Sequence, residues 1–259
     1  MALSSTEKQN LQLVWDGMDA ILKTKNEVVV ETSFAIDFIQ HNPWAQDGIK
    51  HIKEMLAFDF AYKPIRWIAD DDIVVYHGYY TAPNPLGEHP LLCVDMWRIE
   101  DGKIQEHWDA LHPMPQAQVD AATAGDGDGE IAVTKPTVMQ NKQTVHRFLD
   151  HVLNRGRLDL LPSLVHPNYV YHHESEGPLS SLAVLQDHIE QKNGGRMLHD
   201  AKRVIGSGDL VLAHTHQFGT PERVAFDWFR MDEGKIAEHW RVEQPITPLD
   251  QVANAHPHF

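Results

Sequence analysis

The sequence is short of cysteine, of positive charge and of long apolar runs, and each shortage removes a class of function. Cys93 is the one cysteine, so no disulfide can form within the chain, which suits a reducing compartment. In a strand-like stretch it reads as a small core residue rather than a nucleophile. Lys and Arg total 22 against 37 Asp and Glu, for a net charge of −15. Nucleic acid is therefore excluded as a partner, because neutralising its phosphates takes clustered cations; the charge speaks for solubility instead. No apolar stretch approaches the roughly 20 residues that a membrane-spanning helix needs. The opening "MALSSTEKQN" has neither a basic nor an apolar leader segment, so the expected location is cytoplasmic.

What the chain does have is one motif written twice. Asp95, Arg98, Gly102, Lys103, Ile104, Glu106, His107, Trp108 and Pro113 return as Asp227, Arg230, Gly234, Lys235, Ile236, Glu238, His239, Trp240 and Pro245. Upstream, "NLQLVWDGMDAIL" (10–22) returns as "NKQTVHRFLDHVL" (141–153), and "FIQHNP" as "YVYHHE". A repeat of about a hundred residues is far longer than the periods of solenoids or propellers. The chain is a duplicated domain: 1–115, a linker at 116–136, a second copy at 137–248 and a tail at 249–259.

In the first copy, Leu11, Val14, Trp15, Met18, Ile21 and Leu22 recur at helical spacing, which predicts a helix over 8–22 with Thr6 as N-cap. Further helices are expected at 26–35 and 48–58, with "FIQHNP" a short strand between them. Strands follow at 63–69, 72–80, 90–99 and 103–112, the last two joined by the Asp101-Gly102 turn. Helices followed by an antiparallel meander make an α+β fold. The Ala-, Gly- and Asp-rich 116–136 reads as exposed linker. Its "DGDGE" lacks the remaining ligand positions of a calcium loop.

Counting back from a two-residue turn pairs Ile99 with Ile104, Trp97 with Glu106 and Asp95 with Trp108. Alternation then puts Asp95, Trp97, Glu106 and Trp108 on one face, with Val94, Met96, His107 and Asp109 on the other. Carboxylates among tryptophans have raised pKa values and can exchange protons near neutrality. The plainer alternative has Glu106 paired with Arg98 or Lys103 at a rim.

The hairpin "VDMWRIEDGKIQEHWD", preceded by "FIQHNP…DG", resembles the SnoaL-like, polyketide-cyclase branch of the NTF2-like superfamily, and the resemblance covers both copies. It implies two cone domains, each of three helices and a curved antiparallel sheet around a small-molecule pocket. It also implies an intrachain pseudo-dimer, sheet against sheet, with Val94, Met96, Phe226 and Trp228 facing away from the carboxylates. Further assembly into a homo-oligomer is neither required nor forbidden. By the same resemblance Asp95 is the general acid/base, with His41 and His77 beside it; the second copy offers Asp227, His172 and His214. Trp97, Glu106 and Trp108 would line the substrate, as would Phe229, Glu238 and Trp240. No metal or organic cofactor is implied.

The copies also differ. Asn42-Pro43 becomes His173-Glu174, Asp109 becomes Arg241, and the loop at 81–90 is shortened in the second copy. The first copy therefore keeps the pattern better. His172, His214, His216 and Asp227 could gather around a divalent ion, but the first copy has Tyr79 in place of His216, and no HExxH helix exists. Two readings remain: a cofactor-independent lyase or isomerase acting on a small, mostly apolar carbonyl compound, or a module that binds a ligand without transforming it. Retained Asp and His favour the first; Arg241 and the lost "HNP" favour the second.

Overall fold

The computed structural model describes residues 3–125, 135–173, 177–191, 197–256 and 258–259. It contains two compact units. One comprises 3–116 together with 246–259, the other 117–245. Residues 246–259, read from the sequence mostly as a tail, thus group with the first repeat. Within the expected linker, α4 (Gln116–Thr123) is a helix whose Val119 and Ala122 are buried, and "DGDGE" lies outside the described residues. No described helix is long and apolar enough to cross a membrane.

The first unit begins with α1 (Ser5–Leu22). Ser4, rather than Thr6, caps it. Its hydroxyl accepts from the Glu7 N–H, and the Glu7 carboxylate accepts from the Ser4 N–H, a reciprocal cap that occupies two otherwise unpaired donors. There follow α2 (Glu27–Ser33), β1 (Phe34–Gln40) and α3 (Ile49–Glu54), the last running into a 3-10 turn at Met55–Ala57. Then come β2 (Tyr62–Asp70), β3 (Ile73–Tyr80), β4 (Leu91–Glu100) and β5 (Lys103–Pro113). The sheet order is β1-β5-β4-β3-β2. It is antiparallel except that β1 runs parallel to β5. Val14, Val30, Phe34, Phe38, Trp97 and Ile104 pack between helices and sheet with almost no exposure, each large apolar side chain contributing about 1.5–3 kcal/mol by burial.

The second unit repeats the plan. α5 (Lys135–Arg147) continues as a π-helix over Phe148–Asn154. The remaining elements are α6 (Leu161–Leu164), β6 (Val165–His173), β7 (Gly177–Ser180), α7 (Leu182–Gln191), β8 (His199–Ser207), β9 (Leu210–Gln217), β10 (Arg223–Asp232) and β11 (Lys235–Pro245). β7 adds a sixth strand beside β6. Both units are α+β domains, as the sequence predicts.

One local feature decides what each sheet face carries. Asp101 and Gly102 both have positive φ, 49° and 72°, as a tight two-residue hairpin demands. Ile99 opposes Ile104 as expected, but Arg98 then opposes Glu106, so Gln105 is an extra residue, a β-bulge. Beyond it the register slips by one and every side chain changes face. Trp97 opposes His107, Met96 opposes Trp108 and Asp95 opposes Asp109. The second unit has the same slip at Ala237, which leaves Asp227 opposite Arg241 and Phe229 opposite His239.

Candidate functional site

With that register, Asp95, Trp97, His107 and Asp109 share the face that looks into the helices, where they meet a cavity of about 280 Å³. Gln40 and Asn42 enter from the end of β1, and Tyr80 from the end of β3. The rest of the wall is apolar, including Phe34, Phe38, Ile52 and Leu111.

Hydrogen bonds fix the protons here. The Tyr80 hydroxyl donates to Asp95 Oδ1 at 3.1 Å, and His107 Nε2 lies 3.1 Å from the same oxygen. Gln40 Oε1 accepts from the Asn42 N–H at 3.0 Å, so the His107 Nδ1 that meets this oxygen at 2.9 Å must donate. With Asp95 as carboxylate, both ring nitrogens of His107 then carry protons. Burial alone would depress the His107 pKa, but the hydrogen bond it donates to Asp95 and the charges of Asp109 and Asp95 outweigh this and raise it. Asn42 is oriented in the same way. Its Oδ1 accepts from the Trp44 N–H, so its amide nitrogen donates to Asp109 Oδ2 at 2.7 Å.

Two oxygens are left over. Asp95 Oδ2 and Asp109 Oδ1 are buried without a hydrogen-bond partner among the described residues. Burial, and secondarily the Asp95 charge, push the Asp109 pKa up to about 6 against the opposing pull of His107 and Asn42. The site thus places, side by side, a carboxyl group with one oxygen that lacks a hydrogen-bond partner and a second that keeps its proton up to about pH 6. Asp95, His107 and Asp109 also offer atoms within 4.8 Å of one another, close enough for an ion. The ring nitrogens of His107 are, however, both engaged by Asp95 and Gln40.

Most of the other expected site residues lie elsewhere. Glu106 and Trp108 sit on the opposite face of the sheet from Asp95, because the bulge slips the register. Glu106 accepts from Arg98 Nε at 2.7 Å, as in the plainer reading, and its other oxygen meets His41 Nε2 at 2.8 Å. The His41 ring stacks on Trp108 at 4.7 Å. The second copy has the same set: Glu238 bonds Arg230 at 2.6 Å and His172 at 2.8 Å, and His172 stacks on Trp240 at 5.0 Å. Much of the repeated motif is therefore a buried polar clasp outside the cavity. His77 opposes Val94 and bonds Arg66 Nη1 at 2.6 Å, and burial and that guanidinium hold its pKa well below the usual range. His214 stacks on Phe226 at 4.3 Å. Both histidines face away from the carboxylates, as do the fully buried Val94, Met96, Phe226 and Trp228. Only Asp95 and Trp97 of the first-copy candidates reach the cavity. Sequence reasoning missed His107, Asp109, Tyr80, Gln40 and Asn42; the adjacent polar pair Gln105-Glu106, which breaks strand alternation, was the available signal.

The second copy reaches a different end from the same plan. Arg241, in place of Asp109, clamps Asp227 through Nε to Oδ1 at 2.7 Å and Nη2 to Oδ2 at 3.0 Å, with His239 Nε2 at 2.7 Å from Oδ1. Burial opposes ionisation, yet Arg241 and His239 prevail and hold Asp227 far below the usual carboxylate range. Gln217, Arg223 and Glu243 occupy the strand positions of Tyr80, Leu91 and Leu111. The residual cavity, about 130 Å³, is lined by Arg241 and His239 but not by Asp227, which is fully buried. Phe229 stacks on His239 at 4.5 Å.

Residues 145–239 match the SnoaL-like domain family. The first repeat shares the element order, hairpin bulge and repeated motif of the matched segment. No curated protein sequence matches the chain. Similar solved structures include a protein from Jannaschia sp. CCS1 assigned as a SnoaL-like polyketide cyclase, at 16% identity and TM-score 0.39, covering 44% of this chain and 91% of that one. An NTF-2-like protein of unknown function from Burkholderia xenovorans LB400 is 11% identical at TM-score 0.39, covering 42% and 87%. An LEH-like epoxide hydrolase of M. tuberculosis is 17% identical at TM-score 0.35, covering 42% and 86%. These likenesses assign no reaction.

Proposed function

We propose that the first repeat is a proton-transfer enzyme, an isomerase or lyase acting on a small, mostly apolar carbonyl compound, and that the second repeat has no acid/base activity. The observation that carries this is the pairing of the unpartnered Asp95 Oδ2 with an Asp109 that keeps its proton up to about pH 6, beside one mostly apolar cavity. Asp95 Oδ2 takes the proton from a carbon next to the carbonyl, and the electron pair of that C–H bond moves into the carbonyl to give an enolate. Protonated Asp109 donates a hydrogen bond to the enolate oxygen. The Asp95 proton then returns to a different carbon, or a β-leaving group departs, giving isomerisation or elimination. Tyr80 and His107 hold the Asp95 carboxylate in place, and the chemistry needs no further group.

A binding role without chemistry is favoured in the second repeat, where Arg241 closes off Asp227.

The test follows proton exchange rather than a guessed product. Small apolar ketones and enones are incubated with the protein in D2O, and loss of their α-proton signals is followed by NMR. Exchange above buffer that disappears in Asp95→Asn supports the reading. No exchange from any compound that binds, or equal exchange in Asp95→Asn, overturns it.

A further inference from the structure

Four carbonyl groups of one short loop are held by one distant segment. The loop is 41–45, which follows β1 and carries Asn42, Trp44 and Ala45 to the cavity. The His41 carbonyl accepts from the His258 N–H at 3.0 Å, and that of Pro43 from the Ala253 N–H at 2.7 Å. The Asn254 side-chain amide donates to the Asn42 carbonyl at 2.6 Å and to that of Ala45 at 2.9 Å. The segment is organised for this. The Asn254 Oδ1 accepts from the His256 N–H at 2.9 Å, which turns its nitrogen toward the loop, and His258 Nε2 accepts from the Thr247 N–H at 2.8 Å.

We infer that residues 246–259 form a strap that sets the position of Asn42 against Asp109, with Asn254 as the positioning residue. The loop turns its carbonyls to the strap and the Asn42 side chain, itself fixed by the Trp44 N–H, to the acid, so the strap holds in place the turn that aims that side chain. Without it, the carbonyls of His41, Pro43 and Ala45 would exchange partners with water and that of Asn42 would keep only the Ala45 N–H, so the turn that aims the amide at the buried carboxyl group would be less firmly held. The second copy needs no such strap for its acid, because Arg241 replaces Asp109 and a guanidinium accepts nothing from an amide. Asn254 touches neither substrate nor the reacting carboxyls, so its role runs through Asn42.

The inference rests on the first cavity being the working site, but its test needs no substrate, so failure of either can be told from failure of the other. Aspartate is labelled with carbon-13 at the carboxyl carbon, and the Asp109 resonance is identified by its loss in Asp109→Asn. The Asn42 hydrogen bond lowers the Asp109 pKa, so Asn254→Ala should raise the titration midpoint by about 0.5–1 pH unit, the worth of one hydrogen bond. Asn42→Ala should raise it similarly, and the double variant no further, as two residues acting through one contact require. Asn254→Leu, which keeps the volume and removes both donors, should behave as Asn254→Ala does. An unmoved midpoint in either folded Asn254 variant, or additive shifts in the double variant, overturns the strap. So does unfolding of both Asn254 variants, which would make the segment part of the core.

Discussion

Asp109 lies directly across the β4–β5 ladder from Asp95, and the residue in the same place opposite Asp227 is Arg241. One substitution separates two like charges competing for a proton from an ion pair in which no proton is exchanged.

Asp95→Asn should reduce proton exchange or turnover by about 100-fold or more while leaving the fold intact, because an amide keeps the shape but cannot take the proton. Circular dichroism checks the fold. Activity within a few-fold of the parent, with Asp227 also replaced to silence the second unit, would remove Asp95 from the mechanism.

The two sheet faces can be told apart by a pair of histidines. His107→Ala should suppress exchange, since it removes a partner of Asp95. His41→Ala should leave exchange within a few-fold but cost about 1–3 kcal/mol of stability, because it removes a partner of the half-buried Glu106. The opposite ranking in exchange assays and urea melts would mean that β4 and β5 pair without the slip at Gln105.

Asp109 should destabilise the protein above acid pH. Its folded pKa of about 6 lies above its ordinary value of 3.8, so the folded state binds the proton more tightly than the unfolded state does. Stability from this group is complete below about pH 4 and falls as the pH rises through 6, by on the order of 2–3 kcal/mol. Asp109→Asn, which does not ionise, should therefore melt above the parent at pH 7.5, with the gain vanishing near pH 4. A parent protein that is the more stable of the two at pH 7.5 would count against the shift.

Arg241→Met should do the reverse in the second unit. It leaves Asp227 a buried charge with His239 but no cation clamped on it, at a cost of about 3–5 kcal/mol at neutral pH. The Asp227 pKa is lowered in the folded state, so its contribution is present above about pH 4 and lost on acidification; the deficit of the variant should shrink there. Exchange in the first cavity should not change. A neutral effect in urea melts at pH 7 would show the clamp to be dispensable.

The sequence displayed the duplication, the element order and the Asp101-Gly102 hairpin, because apolar periodicity and turn chemistry are local properties. It also showed Arg241 as the departure that matters. It hid the faces, because those depend on Gln105 and Ala237 being extra residues on one strand, which is a property of the pairing and not of either strand alone. Counting back from the turn without the bulge exchanged His107 and Asp109 for Glu106 and Trp108. Retention in both copies misled in the same direction. Arg98, Glu106, His41 and Trp108 recur because they hold the sheet together, whereas the groups that distinguish the working cavity, Tyr80, Asn42 and Asp109, do not recur.

The strap places the boundary of inheritance and the boundary of folding at different points in the chain. Duplication copied a contiguous stretch, yet the first compact unit is assembled from 3–116 and 246–259. A gene cut between the repeats would give a first half with its acids, its cavity wall and its hairpin, but with the carbonyls of His41, Pro43 and Ala45 facing water. The second repeat thus remains necessary to the first as the stretch of chain that delivers its last fourteen residues, whether or not it has any chemistry of its own. Genetic drift can erase its catalytic residues, but deleting it would also cost the first unit its strap.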